Sequence, residues 1–128
     1  MDLLTEAKEI QAYLEIEVGD DVSEAQERGS TLQVYMARTG KMLADAKKAL
    51  NLKKQSGIMD ILRETSKYSI KSATGINELI KSVCADEQYL VDWCERLNRT
   101  CTHQADWCRT LISKYKEEMR MNAFGGGM

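Results

Sequence analysis

Cys94, Cys101 and Cys108 recur every seven residues, and the outer two sit in the repeated triplets Asp92-Trp93-Cys94 and Asp106-Trp107-Cys108. Thiols in such a row raise the question of redox or metal chemistry. Seven residues advance a helix by about 10.5 Å, so the three share one stripe but stand too far apart to bridge one another or to ligate one ion within that helix. Cys101-Thr102-His103 lacks the C-x-x-C or H-x-x-x-H spacing that one helix uses for zinc. No metal and no cofactor are therefore expected, and the cysteines read as small buried hydrophobes flanked by Trp93 and Trp107. A thiol or metal switch stays as an alternative, with Arg96, Arg99 and Arg109 as the nearby charges that favour a thiolate.

His103 is the single histidine. Asp106 lies three residues on, within reach of a hydrogen bond along a helix. No Ser-His-Asp set, Glu-x-x-His pair or phosphate-cradling loop accompanies it, and Gly125 to Gly127 follow no strand. An enzyme is not expected.

Charge is distributed unevenly. Residues 1–28 carry nine acids and two bases, 29–72 three acids and nine bases, and 73–128 eight acids and seven bases, for a net charge of −2. The acidic third is expected to pair with the basic middle, within one chain or between copies. Arg38, Lys41, Lys47, Lys48, Lys53, Lys54 and Arg63 are the alternative anion-binding set, for a nucleotide or nucleic acid bound through its phosphates and without sequence reading.

The elements that position these groups are read from periodicity. The chain has 43% hydrophobic and 30% charged residues and no Pro, a composition that permits long helices and excludes a disordered one. Leu3, Ala7, Ile10 and Leu14 mark one face of a first helix over about 3–18, with Val18-Gly19 as its stop. Asp21 with Glu24 three residues later predicts the cap of a second helix over 22–55. Its heptad runs Val22, Ala25, Gly29, Leu32, Met36, Thr39, Leu43, Ala46, Leu50, while Val34, Met42 and Leu52 widen the apolar surface.

Ser56-Gly57 predicts a break, followed by a short helix over 57–67 and a Ser/Thr/Gly connection over 66–75. A last helix over 75–121 carries the clearest heptad: Ile76, Ile80, Val83, Glu87, Leu90, Cys94, Leu97, Cys101, Gln104, Cys108, Leu111, Tyr115. Glu87 and Gln104 interrupt it and are candidates for fixing register. Residues 123–128 read as a flexible tail after a single helical domain over 1–122.

The expected fold is all-α: an antiparallel, coiled-coil-like helical bundle of two long and two shorter helices. Helices of about 50 and 70 Å exceed a compact domain whose radius of gyration is about 14 Å. Either the last helix kinks at Asn98-Arg99-Thr100-Cys101-Thr102, or other copies cover the excess, and a homo-oligomer is expected. Its seam is assigned to Leu32, Met36, Leu43 and Leu50 with Leu90, Cys94, Leu97, Cys101, Gln104, Cys108, Leu111 and Tyr115. No secretory signal opens the sequence and no apolar run spans a membrane, so a cytoplasmic location with reduced thiols and an inert Asn98 sequon is expected. These readings lead to a non-enzymatic, self-associating protein that binds another, unidentified protein as scaffold, adaptor or inhibitor.

Overall fold

The computed structural model describes residues 2–68 and 73–126, all helical but for the ends and short joints: α1 Leu3–Leu14, α2 Val22–Tyr68, α3 Ala73–Val83 and α4 Ala85–Gly126. Two long and two short helices are present, as expected, although the third is a different segment from the one read in the sequence.

Asp2 caps α1 by accepting from the Thr5 N–H at 2.7 Å. Asp21 caps α2, its Oδ1 accepting from the Ser23 N–H at 3.2 Å. α1 ends at Leu14 rather than near residue 18, because Arg28 and Gln104 take up its last carbonyls. Gly19 is not a left-handed stop; its φ lies outside that region, and a Cβ there would collide with the Glu24 carboxylate.

The break expected at Ser56-Gly57 does not occur, and the helix expected over 57–67 is the last part of α2. Gly57 is buried, and a Cβ at its position would lie 3.8 Å from Val83 Cγ1. That distance is ordinary contact, so Gly57→Ala is expected to stabilise the fold by about 0.5–1 kcal/mol through helix propensity, read as a raised melting temperature. Of the connection expected over 66–75, residues 66–68 belong to α2 and 73–75 to α3, and residues 69–72 lie outside the described residues.

The last helix, expected to run unbroken over 75–121, is interrupted at Cys84, where Ile80 and Gln88 still exchange backbone hydrogen bonds with it. α4 is not interrupted at Asn98 to Thr102. Instead Thr102 Oγ1 donates to the Asn98 carbonyl and α4 continues to Gly126, through residues 123–126 of the expected flexible tail.

Gly29 faces Cys108, Gly40 faces Asn98 and Gly57 faces Val83, so α2 runs antiparallel to α3 and α4. Between α2 and α4 lie the buried Leu32, Thr39, Ala46 and Leu50 and the buried Cys94, Leu97, Cys101 and Cys108. Ala7, Ile10 and Leu14 of α1 close the groove over part of this pair, with Tyr13 set edge-on to Tyr35 at 5.0 Å between ring centroids. No helix is long and apolar enough to cross a membrane among the described residues.

Candidate functional site

The seam assigned to an oligomer is filled within one chain. Leu32, Leu50, Cys94, Leu97, Cys101 and Cys108 are buried between α2 and α4; Met36, Leu43, Leu90, Gln104 and Leu111 are half-buried there, and Tyr115 is exposed. Two long amphipathic stretches joined antiparallel satisfy each other before a second copy can. Any surface left for a partner lies elsewhere.

Three polar contacts set the register of this core. Trp93 Nε1 donates to Gln11 Oε1 at 3.2 Å, tying α4 to α1. Asn98 Nδ2 donates to Thr39 Oγ1 and to the Met36 carbonyl, each at 3.0 Å. Gly40 leaves room for that amide. With Nδ2 engaged inside a helix, the sequon offers no free amide.

The third contact is the densest. Arg28, 8% exposed, lays its guanidinium over the Tyr13 ring at 4.2 Å and donates to the Tyr13 carbonyl at 3.1 Å and to Gln104 Oε1 at 2.9 Å. Gln104 Nε2 in turn donates to the Leu14 carbonyl at 2.8 Å. The charge therefore meets the carbonyl end of α1, where a helix carries partial negative charge. Among the described residues Arg28 Nε has no hydrogen-bond partner, nor has Glu87 Oε2 at the half-buried seam position expected to fix register. Gln104 was legible as a polar seam residue; Arg28 and Asn98, one step off the heptad, were not.

Glu6 and Arg38 join the acidic and basic segments through a two-point ion pair. The hydrogen bonds from Arg38 hold the Glu6 carboxyl below its usual range, and the Thr5 N–H does the same for Asp2. Both carboxylates stabilise the fold above the ordinary carboxylate range, and that contribution fades as pH falls below about 4. Thermal melts from pH 7 to pH 3 are expected to show this loss, and Glu6→Gln to reduce its size.

All four cysteines are buried and free. Burial pushes the thiols of Cys94, Cys101 and Cys108 up, away from the thiolate that redox or metal chemistry uses. A chromogenic disulfide reagent is expected to leave the folded protein unmodified and to find four thiols in denaturant. Among the described residues no group of three or more His, Cys, Asp or Glu is placed to hold a metal ion.

In the basic segment, Arg38 is tied to Glu6 and Lys41 to Asp45 at 2.8 Å, whereas Lys47, Lys48, Lys53 and Lys54 stand exposed with no carboxylate in ion-pair range among the described residues. Arg63 is exposed as well. His103 is exposed, and a shallow groove beside it along α4 is lined by Asp92, Glu95, Arg96 and Arg99.

Exposed apolar side chains form the other conspicuous feature. Val34, Leu52 and Met59 lie along α2, Leu79 and Val83 on α3, and Tyr115, Met119 and Phe124 towards the end of α4. Compared with family models, with curated proteins and with solved structures, the chain matches none.

Proposed function

We propose that this chain is a non-enzymatic helical protein that associates with itself and works by binding another protein, as a scaffold, adaptor or inhibitor. The observation that supports the reading best is the row Val34, Leu52 and Met59, each more than half exposed on the side of α2 turned away from α4. Single exposed apolar residues are ordinary, but a row along one helix face loses free energy to water that a partner restores.

The far end of α4 supports the second half of the reading. Its seam face continues past the start of α2 as Tyr115 and Met119, both exposed. Self-association and partner binding thus have separate surfaces to use. Leu52→Ser with Met59→Ser is expected to leave helical content unchanged and to weaken self-association by about tenfold or more in sedimentation velocity, given the apolar area removed. An unchanged association constant would take the α2 face out of the reading.

A second reading rests on Lys47, Lys48, Lys53 and Lys54, which are free to meet phosphates. Nucleic acid or nucleotide bound there would appear as excess absorbance at 260 nm that added salt removes.

A further inference from the structure

Glu27, Val34, Lys41 and Lys48 follow one another at intervals of seven, and all four are exposed. They form one stripe along the outside of α2, opposite the residues buried against α4. Leu52 and Met59 prolong it with apolar side chains.

The stripe is acidic at one end and basic at the other. Around its start lie Glu15, Glu17, Asp20, Asp21 and Glu24, all exposed, together with exposed Ile16 in the turn between α1 and α2. Around its other end lie exposed Lys47, Lys53 and Lys54. From Asp21 to Lys53 the distance along α2 is about 48 Å, whereas charges are screened beyond about 8 Å at physiological ionic strength. The two ends therefore cannot neutralise each other within the chain, and among the described residues the acidic and basic segments are joined through Glu6 and Arg38.

We infer that a second copy of this chain lies antiparallel along the outer stripe of α2, with Glu27 of each copy opposite Lys48 of the other. The inference rests on the self-association reading and adds its surface, direction and register. In this register each acidic turn meets the partner's Lys53 and Lys54. The complementarity is used twice, once at each end. An antiparallel pair related by a two-fold axis closes on itself, whereas end-to-end contact of the same charges would use one tip per contact and leave both outer ends open to further addition.

Close approach along the stripe is allowed by the short side chains of Ala37 and Ala44, both exposed on the same side. Electrostatic complementarity sets partner and register here.

The test reverses each end separately. One variant carries Lys48→Glu, Lys53→Glu and Lys54→Glu; the other carries Glu17→Lys, Asp20→Lys and Glu27→Lys. All six positions are exposed, so circular dichroism of each is expected to match the wild type. Each variant alone is expected to elute with the mass of one chain, and an equimolar mixture to restore the wild-type assembly. As a second readout, Glu27→Cys with Lys48→Cys is expected to oxidise to a covalent dimer and no longer ladder. Wild-type assembly with both reversed variants still associating unaided, or a cross-linked ladder, would overturn this surface while leaving self-association standing. A wild type that runs as a single chain at every concentration would remove both.

Discussion

Arg28→Ala is expected to cost about 2–4 kcal/mol of stability and to release α1 before the rest of the molecule unfolds. The substitution removes one donor from the Tyr13 carbonyl, which keeps the Ile16 N–H, and leaves Gln104 Oε1 without a described protein donor. A buried polar group left in that condition costs about 1–3 kcal/mol, and the lost cation at the carbonyl end of α1 adds up to about 1 kcal/mol. Arg28→Lys keeps the charge but not the planar fork, so it is expected to recover part of the loss. Hydrogen exchange resolves the local effect: amides of α1 should lose protection ahead of those in the middle of α2 and α4. Equal loss throughout would mean that α1 and the long pair unfold as one unit.

Leu97→Ala is expected to cost about 2–5 kcal/mol, a large fraction of the roughly 5–15 kcal/mol that holds an ordinary domain together. Leu97 is buried in the core cluster to which α1, α2 and α4 all contribute. Met119→Ala removes a comparable apolar side chain from the same helix, but from an exposed position beyond the start of α2, so its effect on chain stability is expected to stay within about 0.5 kcal/mol. Chemical denaturation of the two variants side by side measures the contrast. A large loss at Met119 would mean that the end of α4 is covered by something in the folded state.

The contrast between these two residues also explains what could be read from the chain beforehand. The helical class, the long partners and the run Leu32, Thr39, Ala46, Leu50 against Cys94, Leu97, Cys101, Cys108 follow from apolar spacing, which survives folding unchanged. Apolar spacing does not say whether a face is covered by the same chain or by another copy. Here the antiparallel return of α4 supplies the cover, so the inferred oligomer moves from that seam to the outside of α2.

Arg28 and Asn98 escaped because a charged or amide side chain beside a heptad position looks like a solvated neighbour. Only the arrival of the α1 carbonyls, or of Thr39 and the Met36 carbonyl, makes such a residue an interior one. Gly57 misled for the opposite reason. Its lack of a side chain is a strong local signal for a turn, yet α2 continues through it. The interruption at Cys84 has no Gly or Pro to announce it.

Charge segregation was legible from the start, but its meaning depended on distance. The short ion pair between Glu6 and Arg38 satisfies one part of it within the chain. The length of α2 keeps the rest apart, and this separation is what directs the inference to a second copy.

Absolute mass by light scattering on a size-exclusion column, with the reduced protein at several concentrations, tests self-association most directly. The account predicts a species of twice 14.5 kDa that dissociates as salt is raised. A mass of 14.5 kDa at every concentration and at low salt would contradict it, and would leave the exposed faces of α2 and α4 to a different protein.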